Sequence, residues 1–177
     1  MTNLLPIDEL NAFTDELDGL TEDETVDRVL DLLTLAYARG NEAANDMLNT
    51  DVSANIDDIF AVVFMHIADK TWEQRVREHF ANGDKAGIKR VAETETHRVY
   101  TQAETDTAEN SGKSVVKVWR TMLDDKVRDT HDYLEGVQAE IGAEFFTFDG
   151  DKAHHPGGFE KAENNCNCRC VLELKEV

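Results

Sequence analysis

The sequence predicts an α+β chain: an N-terminal helical region of three to four helices, then a small antiparallel β-sheet domain with a short packed helix. Two observations carry this. Apolar residues recur at three- and four-residue spacing through the first hundred positions, the period of an amphipathic helix. After Gly112 the pattern changes to the alternating, β-former-rich run VVKVWRTM, followed by Gly/Pro turns and a second apolar run at the C-terminus.

Taken in order, Leu5, Leu10, Phe13 and Leu17 give a short helix over Leu4 to Leu20, ended near Gly19. Thr21-x-x-Glu24 is a capping box, and Val26, Val29, Leu30, Leu33 and Tyr37 then share one face, so a helix is expected over 22–48. A third and most apolar helix runs from Ile56 through Phe64 and Trp72 to Phe80 and closes at Asn82-Gly83. Phe64, Met65 and Trp72 read as core, and His66 and His79, with no metal-ligand spacing between them, as ordinary helix residues. A more polar helix follows from Asp84 to Asn110, its apolar content fading after Tyr100. VVKVWRTM is a strand, DDKVRDTHDYLEG a short helix capped by its Asp and ended by Gly136, Glu144–Phe148 a second strand and Cys168–Lys175 a third. Turns are expected at Asp149-Gly150 and His155-Pro156-Gly157-Gly158. The division this suggests is an acidic helical region over 1–83 and an α+β domain over 84–177.

Composition narrows the functional classes. The formal net charge of −19 opposes direct binding to nucleic acid, which needs clustered Lys/Arg; Lys85, Lys89, Arg90 and Arg98 make only a loose row. The charge is uneven: residues 1–83 hold 18 Asp/Glu against 5 Lys/Arg, residues 84–177 hold 19 against 13. Such a surface keeps helices solvated and could dock on a basic protein. The start MTNLLPIDEL has no basic n-region or long apolar core and no window reaches eighteen apolar residues, so neither a leader nor a membrane span is expected. Three cysteines within five residues are an odd number and badly placed to pair with each other, so they read as thiols or ligands.

The chemistry-bearing residues concentrate between Asp124 and Cys170. Asp124, Arg128 and His131 are four and three apart, which on a helix puts them on one face. They read either as an acid, cation and base or as a polar clasp between helix and sheet, with Asn167 and Arg169 as partners; spacing favours the clasp. Strand alternation would place the sulfurs of Cys166, Cys168 and Cys170 on one face, with Asn167 and Arg169 on the other. Those sulfurs and His131 are a candidate zinc set, with His154 and His155 as further imidazoles. Familiar structural zinc sites use two separated ligand pairs, and the second pair is missing here. No other cofactor is expected.

Trp119, Asp124, Arg128, His131, Gly136 and Phe146, followed by His155-Pro156-Gly157 and Asn167-Cys168-Arg169-Cys170, resemble the C-terminal domain of the phage head morphogenesis family, the Mu F-like minor head proteins. Thr94-Glu95-Thr96-His97-Arg98-Val99-Tyr100 is similar to the Thr-Glu-led helix preceding the strand in that family. The resemblance covers roughly 88–172. Many members carry Cys-x-x-Cys where this chain has Asp129-Thr130-His131-Asp132, so a four-sulfur zinc site could not be completed.

The resemblance implies a structural, non-catalytic component of the virion, in the capsid interior after assembly in the host cytoplasm. Its expected partners are the portal protein and/or the major capsid protein, in head morphogenesis and DNA packaging or ejection; self-association is allowed for, a membrane is not expected. Some relatives fuse this domain to toxin modules. The alternative is a small metal-binding enzyme or effector in which His131 is the base and Cys168 or Cys170 a ligand or nucleophile. Arg169, the adjacent cation, points to the opposite face of a strand from those thiols, which counts against it.

Overall fold

The computed structural model describes residues 5–67 and 69–177 and is α+β. The order is α1 (Ile7–Glu16) with a 3₁₀ turn (Leu17–Gly19), α2 (Glu22–Leu48), α3 (Ile56–Val63), α4 (Trp72–Ala81), α5 (Lys85–Asn110), β1 (Val115–Arg120), α6 (Asp129–Asp132), β2 (Gln138–Glu140), β3 (Phe145–Phe146), β4 (Lys152–Ala153), α7 (Ala162–Asn165) and β5 (Val171–Glu176). The expected start of the first helix at Leu4 lies outside the described residues.

Helix α2 begins where its capping box places it. Thr21 Oγ1 accepts from the Glu24 amide, and Glu24 Oε2 accepts from the Thr21 amide at 2.8 Å, satisfying two of the helix's free donors. Asn49, in the left-handed conformation at φ 50°, ends it.

The single helix expected from Ile56 to Phe80 is two. α3 stops at Phe64, an isolated bridge pairs Ile67 with Lys70, and α4 starts anew with Thr71 as its cap. Thr71-x-x-Gln74 is a second capping box, with Gln74 Oε1 accepting from the Thr71 amide at 2.9 Å. That signal is in the sequence, but the apolar periodicity running across it hides the break. Two consequences correct the sequence reading. Trp72 is core at 1% exposure, whereas Phe64 and Met65 are 40% and 42% exposed. His79 lies on α4, but His66 is in the connection and not on a helix.

α5 is the central element. Ile88, Val91, Ala92, Val99, Tyr100 and Ala103 join one core with Phe13, Val29, Leu33, Tyr37, Val63, Trp72 and Val76 from α1 to α4. Its apolar content fades as expected, yet it is buried almost throughout, because the sheet covers the face that the helices leave open. The boundary drawn at 83/84 therefore falls inside a shared core.

α2 and α5 meet where side chains are smallest. A Cβ built on Gly40 would lie 2.2 Å from the Tyr100 carbonyl oxygen and 2.9 Å from Ala103 Cβ. Gly40→Ala should therefore destabilise the fold by about 1–3 kcal/mol, although alanine is the better helix former by about 1 kcal/mol. Thermal unfolding of the variant tests this; a Tm at or above the parent's would show that the helices can part without cost.

The main sheet is antiparallel in the order β2-β1-β5, with Val115 opposite Glu176 and Arg120 opposite Val171; β3 and β4 make a separate hairpin. The second expected strand shrinks to Phe145–Phe146, the third starts at Val171 and not Cys168, and β2 and β4 were not foreseen. β1 is covered on both faces, so even Lys117 is fully buried; its Nζ donates to the His154 carbonyl at 2.7 Å. Burial lowers the Lys117 ammonium to about 8.

Candidate functional site

The second core gathers Trp119 of β1, Leu134, Phe145, Phe159, Cys168, Cys170 and Leu172. Trp119 sits at its centre, with ring centroids 5.7 Å from His131, 5.2 Å from Phe145 and 5.5 Å from Phe159. His131 stacks on Phe159 at 5.2 Å and is 1% exposed.

The segment bearing Asp124, Arg128 and His131 is not one helix. Only Asp129–Asp132 is helical, with Arg128 as its N-cap, and Asp124 lies in the preceding loop. The three side chains still reach the C-terminal segment, each by its own route. Asp124 accepts two hydrogen bonds from Arg169, Nη1 to Oδ2 at 2.7 Å and Nη2 to Oδ1 at 2.6 Å. Arg128 Nη2 donates to the Cys166 carbonyl. His131 Nδ1 is 3.7 Å from Cys168 Sγ and 3.5 Å from Cys170 Sγ.

The Cys-rich segment is a bend and not a strand: Asn167 has φ 56°, and β5 begins only after Cys170. The alternation expected for three sulfurs on one face therefore does not apply. The bend turns Cys168 and Cys170 inward onto His131, and these three are the group of clustered metal-type ligands among the described residues. Cys166 is half-buried and outside it. Asn167 stands at the rim of the adjoining cavities, and His154 is exposed beside Glu144.

The two thiols lie side by side against His131 Nδ1, and each influences the other's acidity. The neighbouring Cys170 lowers the Cys168 thiol, whereas Cys168 and burial raise the Cys170 thiol.

Helix α5 fastens this bend from the other side. His97 Nε2 donates to the Cys170 carbonyl at 2.8 Å, which leaves its buried Nδ1 without a hydrogen-bond partner. His155 Nε2 donates to Gln102 Oε1 at 2.8 Å, and Thr101 Oγ1 donates to the Pro156 carbonyl at 2.6 Å. Gly157, at φ +81°, passes so close to α5 that a Cβ there would sit 3.0 Å from His97 Nδ1. His155-Pro156-Gly157 is thus the turn that docks on α5.

Burial holds His97 below its ordinary range and His155 down to about 3. Both stay neutral in the fold while the unfolded chain protonates near 6.5. The unfolded state therefore binds more protons below that pH, and stability should fall as pH drops from about 6.5 toward 3. Burial raises the Glu104 carboxyl well above its ordinary value, so above about 4.5 the folded chain keeps a proton that the unfolded chain has lost, which acts in the opposite direction to the histidines; below about 4.5 both states are protonated and this contribution vanishes. Between about pH 4.5 and 6.5 the two effects overlap, and the Glu104 contribution cancels when the parent is compared with a variant that changes only His155. Over that range the unfolding free energy from urea titration should rise less steeply with pH in a His155→Gln variant than in the parent; an unchanged slope would contradict the assignment.

Sequence reasoning missed Asp151, Asn164 and Asn165, all buried. Asn164 Nδ2 donates to Asp151 Oδ2 at 2.7 Å and Asn165 bonds both backbone groups of Phe159, so they hold the Phe159 turn over His131. Their signal was weak: polar residues in a loop, distinguished only by their place just before the cysteines.

The geometry is that of a small sheet module fastened to a long helix by buried polar groups, and comparison with known proteins says what class of module it is: a phage minor head protein. The chain belongs to the family described as Phage Mu protein F like protein, whose profile matches residues 67–173. It is similar to the Minor head protein GP7 of Bacillus phage SPP1, 34% identical over 84 residues, 46% of this chain and 27% of that protein. It is also similar to the NAD(+)--arginine ADP-ribosyltransferase EFV of Enterococcus faecalis (strain ATCC 700802 / V583), 36% identical over 85 residues, 46% of this chain and 17% of that protein. The chain therefore spans less than a third of the length of either relative. No solved structure matches it. The family match begins at residue 67, earlier than the 88 expected from motifs, so it takes in α4 as well as α5 and the sheet. No helix among the described residues is long and apolar enough to cross a membrane.

Proposed function

We propose that this protein is a non-catalytic structural component of a phage head, held in the capsid interior, where it associates with the portal protein or the major capsid protein and assists head morphogenesis and DNA packaging or ejection. The family match over 67–173 carries this reading. The site supports it: Asp124, Arg128, His131, Asn167 and Arg169 lie along the junction between the α6 loop and the Cys-rich bend, and four of the five make a contact that closes it or sit against its sulfurs. The acidic helical face and the exposed Ile56, Phe60, Phe64 and Met65 around α3 offer a docking surface of mixed apolar and acidic character.

The likeness to an ADP-ribosyltransferase does not bring that activity to this chain, since it spans 17% of that protein and the same share of this chain resembles a head protein. An enzyme built on His131 and the thiols would need room for a substrate beside them. The cavity that His131 and Cys170 line holds about 10 Å³, space for about one water. The larger groove nearby, about 670 Å³, lies between α1, α5, the loop around Met122 and the Cys-rich bend from Asn167 to Val171; Cys168 lines it, but His131 and Cys170 do not.

Co-purification of the full chain with the portal protein of the same phage tests the function. Stable association with portal or capsid subunits, and recovery of the chain from purified particles by mass spectrometry, are expected. Absence from both would overturn it.

A further inference from the structure

We propose that His131 Nδ1 and the Sγ atoms of Cys168 and Cys170 bind one zinc ion, with a water as the fourth ligand in the small cavity beside them. The argument begins with distances. Zinc bound tetrahedrally at about 2.3 Å from sulfur and about 2.05 Å from nitrogen puts those ligand atoms about 3.6 Å apart. The two sulfurs lie 3.5 and 3.7 Å from the same nitrogen, and all three ligand atoms fall within 4.8 Å of one another. The site thus has the dimensions of two edges of a zinc tetrahedron.

Hydrogen bonding alone explains this convergence less well. As an acceptor Nδ1 has one lone pair for one thiol, and as a donor it has one hydrogen to divide between two sulfurs, so neither tautomer gives both contacts a full hydrogen bond. A metal at the centre engages all three groups together. Binding costs each cysteine its proton, which passes to solvent, and two thiolates balance the ion's double charge. A neutral centre can be buried, as this one is: His131, Cys168 and Cys170 are 1%, 7% and 3% exposed. The donors are thiolate and imidazole, with no carboxylate in the group, a set that selects zinc over magnesium or calcium.

The surroundings hold the ligands in place. His97 fixes the Cys170 carbonyl, Arg128 fixes the Cys166 carbonyl, and Phe159 stacks on the His131 ring. Such outer contacts orient metal ligands. The cavity of about 10 Å³ touches His131 and Cys170 and has room for one water. Its rim carries Lys126, Arg128 and Arg169, whose charge opposes a free cation and favours the site only when both thiols are ionised. Cys166 is left out, so the centre is a Cys2His site and not the four-residue set read from the sequence.

The test is titration of the reduced, full-length protein with zinc and, as a spectroscopic stand-in, cobalt(II). One equivalent should bind, and the cobalt form should show thiolate-to-metal charge transfer together with the intense visible bands of tetrahedral coordination. Cys166→Ser should bind as the parent does. Cys168→Ser and Cys170→Ser should each weaken binding beyond the roughly 10–100-fold that follows loss of an outer-shell partner. Absence of stoichiometric binding, a cobalt spectrum without the thiolate band, or equal loss in Cys166→Ser would overturn the proposal. Should the serine variants fail to fold, the parent's cobalt spectrum decides by itself. None of these readouts depends on the role in the phage head.

Discussion

Glu95→Ala is expected to lower the unfolding free energy by about 3–5 kcal/mol, the penalty for leaving a buried charge without its partner. Glu95 and Arg98 are 1% and 2% exposed, side by side on α5. Glu95 Oε2 accepts from Arg98 Nε at 2.8 Å, its Oε1 accepts from Arg75 Nη2 of α4 at 2.6 Å, and Arg98 Nη2 donates to the Val62 carbonyl at the end of α3 at 3.0 Å. One carboxylate thus ties three helices together through two guanidinium groups. Removing it strands the Arg98 charge where water cannot reach it. The double replacement Glu95→Leu with Arg98→Met should recover much of the loss, because neither charge then remains to be desolvated. Urea unfolding of the parent and the two variants measures both effects. A Glu95→Ala loss under about 1 kcal/mol, the range of an exposed pair, would show that the network is solvated.

Trp119→Ala should cost about 3–5 kcal/mol, the range for emptying a large aromatic site in a core. Trp119 is fully buried and forms the floor on which His131, Phe145 and Phe159 rest. The loss should be felt at the thiols too: without that floor His131 is no longer held against Cys168 and Cys170, and both should become reactive to a thiol reagent at a denaturant concentration that leaves the parent protected. Near-parental stability, or thiols as protected as before, would mean that the three remaining rings close the gap. Trp119→Phe keeps most of the volume and should lose much less.

The helical part was largely legible in the sequence because its signals are local. Thr21 and Glu24 cap the helix they announce, and the apolar stripe from Val26 to Tyr37 faces the core. The reading failed at Thr71, where a cap of equal strength interrupts an unbroken apolar rhythm: periodicity reports which face is apolar, not whether the chain is continuous. The strands were less legible. Three of the five have two or three residues, too few for alternation to register.

At the site, residue types were readable and their arrangement was not. Asp124, Arg128, His131, Asn167 and Arg169 were singled out together, and the structure brings them to one junction. The single helix assumed for the first three and the strand assumed for the cysteines do not exist; a loop and the left-handed Asn167 do the work instead. Asp151, Asn164 and Asn165 gave no sign of their burial, since hydrogen bonding inside a turn leaves no period in a sequence.

The sequence by itself determined the class of fold, the helix that begins at the Thr21 cap, the surplus of acid and the family, because caps, periods, charge and motif order are properties of neighbouring residues. Only the tertiary structure decided that α5 is shared between bundle and sheet, that Cys168 and Cys170 but not Cys166 face His131, and that Glu95 and Lys117 are buried. Each of these depends on which distant segment covers a residue, and that is settled by packing the whole chain around one core.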